Sequence, residues 1–160
     1  MTKTEVLDSI NRLLLTKWPD RTVYVDVCPV DFDRPSFWLA VQKHDMTDAN
    51  RYLIKHDLQL KLTIYDQLDE HYEASWYRLS KETDEAAELL SQVLVVGKRH
   101  LKLGLKMLPR DPDRAYIQIN TSWMDNRPGQ DTGASAPVAD SYSLKVRGDI
   151  TREERNNGTS

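Results

Sequence analysis

Asp57-Leu58-Gln59-Leu60-Lys61-Leu62-Thr63-Ile64-Tyr65 alternates without a break, with Leu58, Leu60, Leu62 and Ile64 on one side and Asp57, Gln59, Lys61 and Thr63 on the other. A period of two is that of a β-strand with one apolar and one wet face. A one-sided strand of this kind belongs in an antiparallel sheet, because parallel sheets are covered on both faces and read as continuous apolar runs. Four other segments share the period. Arg21 to Val27 sets Val23, Val25 and Val27 against Tyr24 and Asp26, and Ser36 to His44 sets Phe37, Leu39 and Val41 against Trp38, Ala40 and Gln42. Arg99 to Met107 sets Leu101, Leu103, Leu105 and Met107 against Lys98, His100, Lys102 and Lys106. Tyr116 to Met124 sets Ile117, Ile119, Thr121 and Trp123 against Gln118, Asn120 and Ser122.

Two segments have the helical period instead. Thr2-x-x-Glu5 has the spacing of a capping box, and Val6, Leu7, Ile10, Leu13 and Leu14 then form one stripe, so a helix is expected to end near Lys17. Thr83 is a candidate cap for a second helix, with Asp84 and Glu85 in its first turn and a stripe of Ala86, Leu89, Leu90, Val93 and Leu94; Gly97 marks its end. All seven prolines fall between periodic segments, where a missing N–H does least harm.

With few strand-helix-strand crossovers, the expected fold is α+β: a single mainly antiparallel β-sheet with two α-helices packed on one face. Residues 1–125 form this domain. From Asn126 to Asp140 the composition turns to Gly, Pro, Ala, Ser and Asp without a period, as in a mobile loop. Tyr142 to Val146 alternates briefly before a polar end, so residues 126–160 read as a loop and a C-terminal arm that reaches a neighbour or stays disordered.

The 160 residues suit one core. A hydrophobic fraction of 39% with 29% charged residues places the chain among soluble globular proteins, without a transmembrane span or secretory leader, made in a cytoplasm. Cys28 is the single cysteine, so no internal disulfide forms. A net charge of -3 lacks the basic excess of a protein that grips nucleic acid by its phosphates.

No catalytic constellation stands out. His44-Asp45 and His56-Asp57 are adjacent pairs, which point to opposite faces of a strand and do not chelate. Asp57, Gln59 and Lys61 share a face in the manner of a metal-dependent nuclease, yet only Asp57 supplies an anionic ligand there. Lys98, His100, Lys102 and Lys106 either contact phosphate or keep a sheet edge wet and unpaired. Trp38 lies opposite Phe37 and Leu39, which makes it an interface anchor on the outer sheet face or, in a shifted register, a core residue. No cofactor and no metal are expected.

The run Trp18-Pro19-Asp20-Arg21-Thr22-Val23-Tyr24-Val25-Asp26-Val27, followed by Val30-Asp31-Phe32-Asp33-Arg34-Pro35-Ser36-Phe37-Trp38-Leu39, resembles phage tail terminator proteins. These open with an amphipathic helix ending in a Phe-Pro or Trp-Pro turn, then a "vYxDxV" strand and a "gFxrPsFfi" stretch that starts the next strand. The likeness spans roughly Met1 to Asp125 by order of elements, and the insertion from Asn126 to Asp140 and the ending beyond it depart from it. It implies a non-enzymatic virion protein, made in the host cytoplasm and placed at the neck end of the tail. Its partners would be further copies of itself in a ring, usually a hexamer, the tail tube protein, head-tail connector proteins and, in a contractile tail, the sheath. Genomic DNA would only pass through the lumen, and no membrane is involved. Candidate contact residues are Trp38, Asp57, Gln59, Lys61, Thr63, Gln118 and Asn120 on the polar sheet face, with Lys98 and Lys102 beside them and Tyr142, Leu144 and Val146 in the arm. A head-tail connector or tail-completion protein would use similar surfaces; a nuclease on the Asp57 face is the reading from another class.

Overall fold

A computed structural model describes residues 1–129, which fall within the unit Met1–Gln130. The elements are α1 (Lys3–Lys17), β1 (Thr22–Val25), β2 (Ser36–Asp48), β3 (Leu53–Tyr65), α2 (Trp76–Leu90), β4 (Leu94–Val96), β5 (Arg99–Leu101), β6 (Gly104–Asp111) and β7 (Arg114–Asn126). The capping box at the start of α1 is formed: Glu5 N–H donates to the Thr2 hydroxyl at 3.2 Å, and Thr2 N–H donates to the Glu5 carboxylate at 2.6 Å. Both bonds satisfy donors that a helix start leaves orphaned.

The main sheet has five strands in the order β1-β2-β3-β7-β6. Only β1 and β2 run parallel; β2–β3, β3–β7 and β7–β6 are antiparallel. Leu58, Leu60, Leu62 and Ile64 of β3 meet Phe37 and Leu39 of β2 and Ile117 and Ile119 of β7 on one face. Val6, Ile10 and Leu14 of α1 and Leu79, Ala86 and Leu90 of α2 cover that face and share its core. Each of these side chains other than Ala86 stabilises the fold by about 1.5–3 kcal/mol relative to exposure. The expected α+β architecture, two helices on one face of a mainly antiparallel sheet, is the one observed.

Several details differ from the expectation. β1 stops at Val25, because Asp26 turns to φ +64, its N–H donates to Leu39 O, and its carboxylate accepts from Val41 N–H at 3.3 Å. Val27 is consequently 77% exposed rather than buried with Val23 and Val25. β2 runs on to Asp48 through an irregularity between Val41 and Lys43. The extra residue reverses the faces beyond it, so His44 turns to the helix side and Lys43 and Asp45 join the polar side.

α2 begins at Trp76, seven residues before the expected cap, and Thr83 lies in its middle with its hydroxyl donating to Leu79 O at 2.6 Å. The early turns carry exposed aromatics, so only Leu79 marked their buried side. The helix ends at Leu90, which leaves Val93 exposed and Leu94 in β4, not on a helical stripe. Arg99 to Met107 is two strands. β5 pairs with β4 in a separate two-stranded hairpin turned at Gly97 (φ +59), and β6 starts after a break at Lys102 and Leu103. A positive φ of this kind favours glycine. Alternation alone does not separate one long strand from two short ones in line.

Asn126 and Arg127 are ordered parts of the domain rather than the start of a mobile loop: Asn126 pairs with Leu53, and Arg127 N–H donates to Tyr52 O at 2.7 Å. The rest of the expected loop from Gln130, and Tyr142, Leu144 and Val146 of the expected arm, lie outside the described residues.

Candidate functional site

The face of the sheet away from the helices is built row by row by strand register. Trp38 lies beside Thr63, which lies beside Tyr116; Lys61 lies beside Gln118, which lies beside Lys106; Gln59 lies between Lys43 and Asn120; and Asp57 lies between Asp45 and Ser122. Seven of the sequence candidates, Trp38, Asp57, Gln59, Lys61, Thr63, Gln118 and Asn120, therefore share one surface. Lys102 borders it in a shallow hollow with Lys43, Asp45, Asp57, Gln59 and Asn120. Lys98 does not, because it sits in the turn of the β4–β5 hairpin.

Two candidates behave differently from the others. Thr63 is only 1% exposed, with a hydroxyl oxygen that has no partner among the described residues, so it supports the sheet rather than offering a contact. Trp38 is half-buried on the outer face, where its indole N–H donates to Asp26 O at 3.2 Å. Of the two registers open for Trp38, the outer one is present, and the loop after β1 caps its edge. Lys43, Asp45, Lys106, Tyr116 and Ser122 complete the surface. The sequence hid Lys43 and Asp45, since the irregularity at Gln42 is what brings them to this side.

The carboxylates Asp45 and Asp57 on this face are paired within it. Lys55 Nζ is 2.9 Å from Asp57 and Lys43 Nζ is 2.5 Å from Asp45. Asp45 and Asp57 stand opposite each other, a juxtaposition of carboxylates the sequence did not reveal, but each is matched by its own ammonium. Among the described residues no three His, Cys, Asp or Glu side chains converge as a metal site. Lys61 Nζ lies 5.0 Å above the Tyr116 ring. Burial and a hydrogen bond to Asp111 push the Tyr116 phenol up to about 12, so it stays a donor at neutral pH. The result is a half-wet, hydrogen-bonding surface that can form contacts without exposing a large apolar patch.

The loop between β1 and β2 closes one end of this face. Phe32 packs on Tyr65 with ring centroids 4.2 Å apart, on the outer side of the sheet. The Arg34 guanidinium lies over both rings and donates to Asp66 O, to Asp113 O and, at 2.8 Å, to the Asp113 carboxylate. Hydrogen bonds from Arg114 and Arg34 outweigh burial and hold the Asp113 carboxyl below the usual range. The Arg34–Pro35 peptide bond is cis. On the other side of β2, Phe37 is buried against Trp18, and Arg21 spans both rings and pairs with Glu82 of α2. The run Trp18 to Val41 thus fastens α1, β1, β2 and α2 together.

At the opposite end of the sheet, on the helix side, His44 Nε2 and His56 Nδ1 are 3.1 Å apart and His56 stacks on Trp123 at 4.9 Å. Asp125 anchors this corner. It accepts from the Trp123 indole at 2.9 Å and lies 2.6 Å from Arg99 and 3.1 Å from the Met1 ammonium. Burial, and then the neighbouring His56 and Lys3, lower the His44 pKa, with Asp45 opposing. A histidine with a lowered folded pKa gives stability that is present above its unfolded value and lost as pH falls through the folded one. Thermal unfolding should therefore show stability falling as pH drops below about 6.5, and His44→Gln should flatten that slope; an unchanged slope would contradict the role of this pair.

No family model and no curated protein matches this sequence. Among solved structures 26 chains match, and one of them aligns with a TM-score of 0.41 at 11% identity, covering 82% of this chain and 99% of its own. At that score the likeness carries no functional argument.

Proposed function

We propose that this chain is a tail terminator: a non-enzymatic subunit that forms a ring, a hexamer, on the last ring of a phage-type tail tube. The reading rests on the resemblance of the run Trp18 to Val41 to that family. Its support is that the residues carrying the resemblance, Trp18, Arg21, Phe32, Arg34 and Phe37, work together to hold the helices and one end of the sheet. A motif used as a shared scaffold leaves the surfaces free to evolve toward particular partners.

The mechanism is binding without turnover. A ring made by head-to-tail contacts between copies matches the symmetry of the tube and presents a different surface on its far side, so the next tube ring is not accepted. That far surface meets the head connector, and DNA passes through the lumen. The half-wet face with Trp38, Gln59, Lys61 and Gln118 supplies hydrogen-bonding contacts for the tube or the connector.

The test is a polymerisation assay with tube protein from the same particle. Adding this chain at one ring per growing tube should stop elongation and fix tube length. Elongation that continues at an unaltered rate, with the folded chain in excess, would refute the proposal.

A further inference from the structure

α2 carries two different faces. Leu79, Ala86 and Leu90 point into the core, whereas Tyr77, Lys81, Asp84 and Glu88 follow the helical period on the opposite side. Trp76 and Tyr77 are 63% and 69% exposed, and they line a groove with Asp84, Glu85 and Glu88. Exposed Trp and Tyr side by side are the residue types that anchor protein contacts. Glu85 is already paired with Lys17 at 3.4 Å and Lys81 at 3.9 Å. Among the described residues Asp84 and Glu88 have no ion-pair partner.

The complementary surface is the β4–β5 hairpin and the chain that leaves it. Lys98, His100 and Lys102 are exposed there, and among the described residues neither lysine has an ion-pair partner. Val93 and Val95 add apolar area at 51% and 55% exposure. This lobe follows the C-terminal end of α2, whereas the aromatic groove starts at its N-terminal end. With 15 residues at about 1.5 Å each, the two ends stand roughly 22 Å apart. Only the aromatic part of the groove lies at that far end; Asp84 and Glu88 lie nearer the lobe, yet among the described residues neither pairs with Lys98 or Lys102 of its own chain, so the acidic, aromatic groove and the basic, aliphatic lobe are free to meet between different copies, head to tail.

We infer that the outer groove of α2 receives the β4–β5 lobe of a second copy of this chain, with Asp84 and Glu88 facing Lys98 and Lys102. Such a contact is heterologous, so repetition closes a ring or continues as a filament. The inference rests on the terminator reading for closure into a ring, while the pairing of the two surfaces stands on their own chemistry. It also explains why Lys98, which lies off the polar sheet face, is left exposed and unpaired.

The experiment uses the full chain in three charge-reversed forms, measured by sedimentation velocity alone and with tail tubes of the same particle. One carries Asp84→Lys and Glu88→Lys, the second Lys98→Glu and Lys102→Glu, and the third all four changes. Far-ultraviolet circular dichroism confirms that each form is folded, as expected for surface sites. Each two-site reversal should weaken self-association at least tenfold, because it sets like charges against each other. The four-site chain should regain assembly, and so should an equimolar mixture of the two reversed forms, which restores opposite charges at every contact in an even-membered ring. Folded reversals that assemble like the unaltered chain, or a mixture that stays dissociated, would overturn the inference. So would an α2 reversal that leaves rings intact and weakens only attachment to tubes, which would make the tube the occupant of the groove. Rings that obey the charge rules but never engage a tube would sink the terminator reading and leave this interface standing.

Discussion

Phe37→Ala should lower stability by about 3–5 kcal/mol, the range for removing a large aromatic from a packed core. Phe37 is fully buried in β2, packs on Trp18 at the end of α1 with ring centroids 5.1 Å apart, and lies under the Arg21 guanidinium. Its loss opens a cavity where helix, strand and turn meet, and a typical domain has only about 5–15 kcal/mol in total. Urea unfolding followed by circular dichroism would show the midpoint fall with little change in slope. Trp38 is the control one residue away. It lies on the other face, half-buried, so Trp38→Ala should cost less than half as much. Equal losses at the two positions would contradict the assignment of faces along β2.

Arg34→Ala should cost about 2–4 kcal/mol, since removing one partner of a largely buried ion pair also strands the polar groups it satisfied. The guanidinium serves Asp66 O, Asp113 O and the Asp113 carboxylate while covering Phe32 and Tyr65. These partners come from the segment after β3 and from the β6–β7 hairpin, so the side chain ties three parts of the chain together. Arg34→Lys should recover little, because an ammonium cannot match a planar fork with several acceptors or stack in the same way. Combined with Asp113→Ala, the loss should be smaller than the sum of the single losses, as expected for residues of one network. Additive losses would show that Arg34 acts through its stacking alone.

Much of the fold was legible because one-sided burial imposes its period on the sequence. Leu58 to Ile64 and Ile117 to Thr121 face the core at the expected positions, and the Thr2–Glu5 capping box forms as the spacing requires. What escaped was whatever breaks a period without changing composition. The irregularity at Gln42 exchanges the two faces of β2, and the break at Lys102 divides one alternating run into β5 and β6. The start of α2 escaped for a different reason: Trp76 and Tyr77 are exposed, so the first turns show no apolar stripe beyond Leu79. That exposure is itself informative, because aromatics on an outer helical face call for a partner. Of the candidate surface, the alternating positions Asp57, Gln59, Lys61, Gln118 and Asn120 were read from the sequence alone. Lys43 and Asp45 were not, since their side depends on a pairing register between strands.

As proposed, this chain acts as a ring on the end of a tail tube. The most direct measurement is negative-stain electron microscopy of tail tubes from the same particle, incubated with the purified chain and washed. One ring of six subunits at one end of each tube, with none along the sides, is the expected result. Bare tube ends in the presence of folded protein, or decoration along the whole tube, would contradict it.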